Sequence, residues 1–272
     1  MDRFNADTDT YRTSTVRDLV SLAGKTVVVT GAARGLGLSA AVGCAEIGGT
    51  VIILDVLDEP TETLQTLASE NGITLQYYRA DVSDLEALSK VFDLIKQNHG
   101  PVNCLVNAAG IGPGGPFVEC EQSTIERILA INVQGTMFAS QLALKHMKES
   151  GRGGAIVNIS SIGAHGGIPG QQNAVYCASK GAVSAFTRSL AIEYAQQGVR
   201  INSVSPGFFL AKMTPGYLEG DVARLRSFES IVPMGRFADR SELKSIVAFL
   251  LTPASSYITG EDILVDGGVQ AA

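Results

Sequence analysis

The chain has 272 residues, of which 45% are hydrophobic and 18% charged, with thirty glycines and a formal net charge of -6. This composition is typical of a globular protein with many tight turns, and the length is sufficient to bury most of the apolar surface. The negative charge, without a cluster of lysine or arginine, argues against a nucleic-acid-binding surface. The cysteines lack metal-ligand and Cys-x-x-Cys spacing, so we expect free thiols, a reducing compartment and no metal site; they are Cys44, Cys104, Cys120 and Cys177.

Residues 1–22 are polar and show no apolar period, which predicts a flexible arm, or a strap on the domain or on a neighbouring subunit. Residues 23–272 contain no repeat, low-complexity tract or linker, so we expect a single domain. The sequence predicts neither a secretory signal nor a membrane span, because it has no basic region followed by an apolar stretch and no long uncharged run. We therefore expect a cytoplasmic protein.

The first predicted strand, residues 26–30, is a β-branched run of the kind that is buried on both faces of a parallel sheet. It leads into a glycine turn and then into an alanine-rich helical stretch over residues 38–47. In such a turn Gly31 permits the sharp change of direction, Gly35 admits a pyrophosphate close to the backbone, and Gly37 lets the helix pack on the strand. The spacing G-x-x-x-G-x-G is a variant of the common dinucleotide fingerprint, and an ordinary tight turn is the alternative.

The second predicted strand, residues 50–54, ends in Asp55. An acidic residue about 20 positions beyond the glycines hydrogen-bonds the ribose 2'-hydroxyl of NAD and repels the extra phosphate of NADP. Arg34, in the glycine turn, could instead pair with that phosphate. We favour NAD on account of Asp55, with NADP as the alternative.

Strands and helices then alternate to the end of the chain. Further strands are predicted at residues 74–79, 104–106, 156–159, 201–204 and 263–265, and helical stretches near 62–70, 84–97, 123–147 and 241–251. This alternation predicts an α/β fold of Rossmann type, a doubly wound parallel sheet with helices on both faces. Small residues at 107–110, directly after a strand, leave room for a ligand lying across the sheet.

The segment 208–237 has an irregular pattern, with aromatic and other large apolar residues that look exposed. We expect a mobile, largely apolar lid and therefore a hydrophobic or ring-containing substrate. The alternative is that these side chains pack inward or at a subunit contact. They are Phe208, Phe209, Met213, Tyr217, Leu225, Phe228 and Met234.

Tyr176 and Lys180 are four residues apart in a predicted helix, so their side chains share a face. A phenol titrates near pH 10 and is a poor proton carrier at neutral pH unless a cation favours the phenolate, and Lys180 is placed to be that cation. So short a motif also occurs by chance in ordinary helices. Asn132, in the middle of the long amphipathic stretch, is either a structural kink or a functional group, because a buried Asn in a helix needs a partner.

Together these motifs resemble the short-chain dehydrogenase/reductase family. The resemblance extends from about Leu22 to the end of the chain. Several separate motifs in the right order are far more specific than any one of them. The matching segments are residues 30–37, 107–110, Ser161, 176–180, 205–207 and 265–268. The resemblance implies an oxidoreductase that transfers a hydride between a nicotinamide cofactor and a secondary alcohol or ketone.

The resemblance also implies residue roles. Tyr176 would be the general acid/base, Lys180 would lower the Tyr176 pKa and hold the nicotinamide ribose, and Ser161 would donate a hydrogen bond to the substrate oxygen. Asn132 would hold a water that links Lys180 to solvent. The adenine would contact Asp81 and Val82, and the adenosine ribose would contact Asn107, Ala108, Ala109 and Gly110. The nicotinamide end would contact Pro206, Gly207 and Phe209. The cofactor site is completed by Gly31, Arg34, Gly35, Leu36, Gly37, Asp55, Tyr176 and Lys180.

Two features depart from the family pattern. Ala211 stands where a threonine usually bonds the nicotinamide amide, and the segment from Ser161 to Tyr176 is about two residues longer than usual, around residues 171–173. We prefer Ser161 to Ser160 because the second serine of the pair is the family's usual one. His165 lies in the same loop and is expected to be a surface residue, with substrate contact as the alternative.

Three other hypotheses remain open. The first is an NADPH-driven carbonyl reductase that uses Arg34. The second is a dinucleotide-binding protein with a regulatory or assembly role, and the third is non-redox chemistry in the same pocket. The partners expected from the resemblance are a small alcohol or carbonyl substrate and other copies of the chain, as a homotetramer or dimer formed through the helices that hold Asn132 and Tyr176. No nucleic acid or membrane partner is expected.

Overall fold

The computed structural model describes residues 14–60, 64–210 and 222–272. The strands are β1 Thr26–Thr30, β2 Thr50–Asp55, β3 Leu75–Arg79, β4 Cys104–Asn107, β5 Gly154–Ile159, β6 Val199–Pro206, β7 Phe209–Leu210, β8 Ala238–Asp239 and β9 Asp262–Val265. The α-helices are α1 Val16–Leu19, α2 Gly35–Glu46, α3 Leu64–Asn71, α4 Leu85–His99, α5 Gln122–Leu129, α6 Thr136–Ser150, α7 Ala174–Tyr194, α8 Val222–Glu229 and α9 Lys244–Leu251.

Within the described residues, one parallel sheet of seven strands has the order β3-β2-β1-β4-β5-β6-β9. β1 pairs with β2 on one side and with β4 on the other, so the chain changes direction across the sheet between β1 and β4. Ligands of open α/β sheets bind at the carboxyl ends of the strands at such a switch point. The Rossmann-type fold expected from the sequence is confirmed.

The central strands are buried on both faces because helices cover both sides of the sheet. Val27 and Val29 of β1 pack in a core with α2 and α9, whereas Val28 packs in the opposite core with α4 and α6. This division follows from the period of two in a strand, which directs successive side chains to opposite faces. A continuous apolar run therefore serves two cores.

The long amphipathic stretch predicted over 123–147 is not one regular helix. α5 ends at Leu129, a π-helical segment spans Ala130–Gly135, and α6 begins at Thr136. A π-helical turn holds one more residue than an α-turn, and such insertions are frequent at functional sites. Asn132 lies in this segment and is fully buried. Of the two alternatives for Asn132, a structural kink or a functional group, the structure therefore shows the first, as a local change of helical pitch.

The ends of the chain and the expected lid fall partly outside the described residues. Residues 1–13 are outside, so the flexible arm remains a prediction. Residues 15–22, which the sequence analysis placed in the same arm, are structured: Thr15 and Asp18 form a capping box around α1, and Leu22 is fully buried. Ala211, Met213 and Tyr217 are outside as well. In the part of the chain that the structure describes, no helix is long and apolar enough to cross a bilayer.

The aromatic residues at the base of the expected lid pack inward rather than lying exposed. Phe208 stacks on Phe228 and on Phe237, with ring centroids 5.4 and 5.5 Å apart. Phe228 is 4% exposed and Phe237 is 6% exposed. The expectation of exposure was wrong for Phe228, because the sequence does not reveal that two distant phenylalanines reach Phe208. Met234 is 69% exposed, as expected.

Candidate active site and cofactor cleft

Lys180 lies in the second turn of α7, is 5% exposed, and has its ammonium close to the Tyr176 ring. The distance from Lys180 Nζ to the ring centroid is 5.7 Å, and Nζ donates a 2.8 Å hydrogen bond to the Ile159 carbonyl at the end of β5. Burial lowers the pKa of Lys180 from 10.5 to about 8. At neutral pH Lys180 is therefore still a cation, held at the level of the sheet's carboxyl edge.

Tyr176 is subject to opposing influences on its acidity. Burial raises the pKa of Tyr176, while its hydrogen bond with Ser161 lowers that pKa. Ser161 is fixed because its Oγ accepts a 3.0 Å hydrogen bond from the Gly163 N–H in the 3-10 turn that follows β5. The other face of the Tyr176 ring is closed by Gly112, where a Cβ atom would lie 2.7 Å from the ring's Cδ2. The phenol is thus held between a serine and a glycine loop.

The preference for Ser161 over Ser160 agrees with their surroundings. Ser160 is 2% exposed, and its Oγ lies 2.8 Å from Ser184 Oγ and 3.2 Å from the Lys180 carbonyl oxygen. These contacts direct Ser160 into the protein, away from the Tyr176 phenol. Ser161 is the member of the pair that reaches that phenol.

Asn132 fastens the loop after β4 to α7. Its Oδ1 accepts from the Ile111 N–H at 2.8 Å, and its Nδ2 donates to the Ile111 carbonyl at 2.9 Å and to Ser179 Oγ at 2.9 Å. A Cβ atom at Gly110 would lie 3.4 Å from both Asn132 Oδ1 and Lys180 Nζ. The structure therefore brings Asn132, Lys180, Tyr176 and Ser161 to one end of α7.

A cavity of about 400 Å³ lies at the switch point of the sheet. Its wall contains eight residues assigned to the cofactor from the sequence, namely Gly31, Arg34, Asp55, Asp81, Val82, Ala108, Ala109 and Gly110. It also contains residues that the sequence analysis missed, namely Val56, Leu57, Ala80, Ser83, Ile111, Arg127, Ala130 and Ile131. Arg127 and Ile131 come from α5 and the π-helical segment, and no local motif marks them.

Other assigned residues lie outside this wall. Gly35, Leu36 and Gly37 form the first turn of α2, and Pro206 ends β6, with Gly207 and Phe209 directly after it. Asn107 is 3% exposed, and its Nδ2 donates to Ser140 Oγ at 3.0 Å and to Asn158 Oδ1 at 2.8 Å. The Asn107 side chain thus holds β4 to β5 and α6, and its contact with the cofactor remains a prediction.

The glycine turn fits a dinucleotide phosphate. A Cβ atom at Gly31 would overlap the backbone of Ala109, and one at Gly37 would overlap the Gly31 carbonyl, so both positions exclude side chains. α2 begins at Gly35 after the N-cap Arg34, whose side chain has no acceptor for the N–H groups of the first turn. Those N–H groups and the helix dipole favour an anion at this end.

Asp55 and Arg34 both lie on the wall of this cavity. Asp55 Oδ2 accepts from the Ala33 N–H at 2.9 Å, and Oδ1 accepts from the Leu57 N–H at 3.2 Å. The carboxylate is therefore fixed between the end of β2 and the glycine turn. Each oxygen retains a lone pair that could accept a ribose hydroxyl.

A second, more open cavity of about 750 Å³ lies beside the start of α7. Its wall combines the apolar Phe117 and Val118 with the residues 167–174 and Cys177. The longer segment noted in the sequence, residues 171–173, forms part of this wall, and the Gln172 carbonyl accepts from the Gly115 N–H at 2.7 Å. The extra length thus bridges to the loop after β4.

His165 is at the surface, as expected, but it has partners that the sequence did not indicate. Its Nε2 lies 3.1 Å from Asp262 Oδ2 and 3.2 Å from Ser205 Oγ. Asp262 is 97 residues away in the chain, so no local spacing could have predicted this pair.

Comparisons with known proteins agree with this site. The family model described as enoyl-(acyl carrier protein) reductase matches residues 31–270. Gluconate 5-dehydrogenase of Gluconobacter oxydans is 34% identical over 252 residues, which cover 93% of this chain and 97% of that protein. Carbonyl reductase family member 4 of Danio rerio is 38% identical over 244 residues, covering 89% and 97%.

A solved structure gives the same result. The gluconate 5-dehydrogenase from Burkholderia cenocepacia J2315, in complex with NADP and tartrate, superposes with a TM-score of 0.88 at 29% identity and covers 95% of this chain and 100% of that one. The chain belongs to the short-chain dehydrogenase/reductase family and is an NAD(P)-dependent oxidoreductase acting on CH–OH and C=O groups.

Proposed function

We propose that the protein interconverts a neutral, ring-containing secondary alcohol and its ketone, with Tyr176 as the general acid/base and with a preference for NAD. The observation that supports the chemistry best is the joint placement of Ser161, Tyr176, Lys180 and Asn132 at one end of α7. When bound against the glycine turn and the ends of β1, β2 and β4, the nicotinamide cofactor supplies the redox chemistry by giving or taking a hydride. The chain supplies position and the proton.

In this proposal Ser161 donates its O–H to the substrate oxygen. Its Oγ already accepts from the Gly163 N–H, so in this proposal its single hydroxyl hydrogen turns from the Tyr176 phenol to the substrate oxygen when the substrate binds. Tyr176 gives a proton to that oxygen in reduction and takes it in oxidation. Burial raises the Tyr176 pKa, which favours the neutral phenol that gives the proton in reduction. In this proposal Lys180, whose Nζ is 5.7 Å from the centre of the ring, is the cation that favours the phenolate needed for oxidation.

Asn132 acts in this proposal by position. Both hydrogens of its amide are used by Ile111 and Ser179, and its backbone carbonyl accepts from Thr136 Oγ1 at 2.8 Å. A water linking Lys180 to solvent, as implied by the family resemblance, would have to bond a remaining lone pair of Asn132. The direct contacts assign it the alignment of the Ile111 loop with α7.

Tyr176→Phe tests the acid/base role. We expect turnover of a confirmed substrate to fall by about 10²–10⁴-fold, because the ring remains and only the proton donor is lost. NADH binding, followed by cofactor fluorescence in a chain without tryptophan, should be retained but weakened, because Tyr176 is also one of the residues expected to contact the cofactor. Full activity in this variant would refute the mechanism. Cofactor binding without hydride transfer to any carbonyl would favour the regulatory alternative, and turnover without a net change in cofactor oxidation would favour non-redox chemistry.

The NAD preference is supported by Asp55, which the backbone holds beside the glycine turn. A fixed carboxylate accepts from a ribose hydroxyl and repels a 2'-phosphate. Arg34 on the same wall is the argument for NADP, which is bound in the Burkholderia cenocepacia relative. We expect tighter binding of NADH than of NADPH.

Two variants separate these influences. Asp55→Ala removes the carboxylate that repels the 2'-phosphate, so the ratio of NADP to NAD efficiency should rise by about tenfold or more. A factor of ten corresponds to about 1.4 kcal/mol. Arg34→Ala removes the competing cation and should lower that ratio. If Asp55→Ala leaves the ratio unchanged and Arg34→Ala lowers it, the enzyme is an NADPH-dependent reductase.

The substrate class is inferred from charge. A further cavity of about 370 Å³ adjoins the open one beside the start of α7 and is lined by residues 113–117, 119–121, 124, 128 and 172–175. The described walls of these two cavities contain the carboxylates Glu119 and Glu121 and no lysine or arginine. A carboxylate substrate such as gluconate would lie near these acids without a described cation to pair with it. Phe117, Val118 and Ile168 offer apolar contact to a ring, and the amides of residues 171–173 can bond hydroxyl groups.

A panel of ring alcohols, linear polyols and sugar acids tests this. We expect the highest kcat/KM with neutral ring alcohols and at least about tenfold lower kcat/KM with gluconate. A difference of this size is expected from one unpaired charge near a protein surface. Preference for gluconate would refute the charge argument while leaving the mechanism of Tyr176 intact.

The proposal includes a homo-oligomer in a reducing compartment such as the cytoplasm. An exposed apolar cleft of about 300 Å³ lies between α6 and α7, lined by Met137, Phe138, Ser140, Gln141, Leu144, Phe186, Leu190 and Tyr194. A second copy of these helices would cover it. The free thiols of Cys44 and Cys104 are buried and have raised pKa values, which suits a reducing environment.

A further inference from the structure

Asp262, the first residue of β9, joins three segments of the active site. Its side chain is 8% exposed. Its Oδ1 accepts from Ser205 Oγ at 2.7 Å, and its Oδ2 accepts from Ser184 Oγ at 2.6 Å and lies 3.1 Å from His165 Nε2. A carboxylate with so little solvent is stabilised by these donors, because hydrogen bonds to a charged acceptor are the strong ones.

Each of these partners is close in sequence to a residue of the site. Ser184 is one helical turn beyond Lys180 on α7, and Ser205 directly precedes Pro206 at the end of β6. His165 closes the 3-10 turn that begins after Ser161, since the His165 N–H donates to the Ile162 carbonyl at 3.0 Å. One carboxylate therefore connects the serine turn, the lysine helix and the nicotinamide end of the cleft.

The hydrogen positions in this cluster follow from its chemistry. Ser205 donates its only hydroxyl hydrogen to Asp262 Oδ1, so toward His165 its Oγ can only accept. The carboxylate can only accept, so His165 Nε2 must carry a hydrogen, shared between Asp262 Oδ2 and Ser205 Oγ 3.2 Å away. This defines the function of the imidazole as a donor at Nε2, whether or not the ring is charged.

We propose that His165 is a positioning residue, which holds the Ser161 turn against Asp262 and thereby keeps the Ser161 hydroxyl in contact with the Tyr176 phenol. The proposal rests on the proposed roles of Ser161 and Tyr176. Without the imidazole, the turn over residues 162–164 loses its side-chain anchor to β6 and β9 and retains its own backbone bonds and a 3.3 Å hydrogen bond from Gln270 Nε2 to the Ile162 carbonyl. Small displacements of a positioned donor are costly in catalysis.

Two substitutions test the donor. His165→Ala removes it, whereas His165→Gln restores an N–H at about the distance of Nε2 from the backbone, without an ionisable ring. We expect kcat to fall about tenfold in His165→Ala and to recover in His165→Gln, with KM and the NADH dissociation constant within about twofold of wild type, because the lost alignment acts in the transition state. His99→Ala is the control, since His99 contacts Tyr78 Oη at 3.0 Å at the far end of α4.

A second readout does not need a substrate. The seven tyrosines can be labelled with ¹³C at Cζ, and Tyr176→Phe identifies the signal of Tyr176 in an NMR titration. The hydrogen bond with Ser161 lowers the Tyr176 pKa, and the titrating groups near the phenol are Lys180 and Cys177. We expect the Tyr176 titration to move to higher pH by about half a unit or more in His165→Ala and to return in His165→Gln.

The outcomes are distinct. An unchanged Tyr176 titration in His165→Ala overturns the positioning role, and so does an equal shift in the alanine and glutamine variants, which would indicate the charge of the ring instead of its N–H. Should His165→Ala not fold, His165→Asn, which cannot reach Asp262 in the same way, replaces it. Failure of the wild type to oxidise or reduce any alcohol or ketone would refute the proposed function, while the titration would still decide the question of His165.

Discussion

Lys180 combines a position in the proposed catalytic site with a cost in stability. Burial lowers its pKa from 10.5 to about 8, which at 1.36 kcal/mol per pH unit corresponds to about 3 kcal/mol against the charged form in the folded protein. The unfolded chain binds the proton up to its ordinary pKa, so the penalty is complete below pH 8 and disappears as the pH rises toward 10.5. The wild-type protein should therefore gain stability from this group between these pH values.

The corresponding prediction concerns Lys180→Met, which keeps a side chain of similar length and removes the charge. We expect turnover to be lost and the free energy of unfolding at pH 7 to increase by about 1–2 kcal/mol, less than the full penalty because the Ile159 carbonyl loses its donor. The gain should vanish near pH 10.5. Urea unfolding at the two pH values measures it, with the exposed Lys145→Met as the control. A loss of stability at pH 7 would show that the bond to Ile159 outweighs the buried charge.

The sequence identified single residues well where the chemistry depends on local spacing. Tyr176 and Lys180 share a helix face because they are four residues apart, and Asp55 is at a strand end because a buried run precedes it. The contact of Gly112 with Tyr176 and the partners of His165 could not be found in this way, because each contact joins residues far apart in the chain, for example the 97 positions between His165 and Asp262. Arg127 reaches the wall of the cofactor cavity only in the assembled fold.

At the scale of elements, the change of helical pitch at residues 130–135 decides where Asn132 points. The sequence predicted a continuous amphipathic stretch there, whereas the structure has a π-helical segment in which Asn132 makes three hydrogen bonds to Ile111 and Ser179. An amide that pairs with both backbone groups of another loop fixes that loop's position. Such pairing depends on the fold of the whole sheet, so hydrophobic period alone does not reveal it.

Asn132→Ala tests this element. Three buried hydrogen bonds are lost and the polar groups of Ile111 remain without their partner, so we expect the free energy of unfolding to fall by about 2–4 kcal/mol and turnover to fall as well. Chemical denaturation and NADH binding are the measurements. Asn71→Ala, which removes an exposed 2.9 Å bond from Nδ2 to the Leu67 carbonyl in α3, should cost less than about 1 kcal/mol. Equal losses in the two variants would contradict the structural importance of the Asn132 pairing.

At the scale of the whole molecule, the alternation of strands and helices predicted a doubly wound parallel sheet, and the structure adds the order of its strands. The sheet's switch point between β1 and β4 sets the cofactor cleft between the glycine turn and residues 108–110. The wall opposite this turn comes from α5, which carries Arg127, and its distance from the glycine turn follows only from the assembled fold. The sequence therefore predicted one side of the cleft better than the other.

The apolar cleft between α6 and α7 leads to a prediction about assembly. Leu190 lies one helical turn from Phe186 and from Tyr194 on this face of α7, and the same helix holds Tyr176 and Lys180. A carboxylate placed here would be buried without a partner in an oligomer but solvated in a monomer, so Leu190→Asp should weaken association by about 100-fold or more. Light scattering after size exclusion should then show mass near 28.5 kDa instead of a multiple of it.

The control for this variant is Leu94→Asp, because Leu94 is 45% exposed on α4, away from the cleft. It should keep the wild-type mass. In the Leu190→Asp monomer we expect kcat to fall and the unfolding temperature to decrease, since α7 would lose the packing that supports its outer face while its inner face still carries the Tyr176 and Lys180 pair. A wild-type protein that is monomeric at micromolar concentration would refute the assembly proposal, and α7 would then have to maintain the site with its apolar face in water.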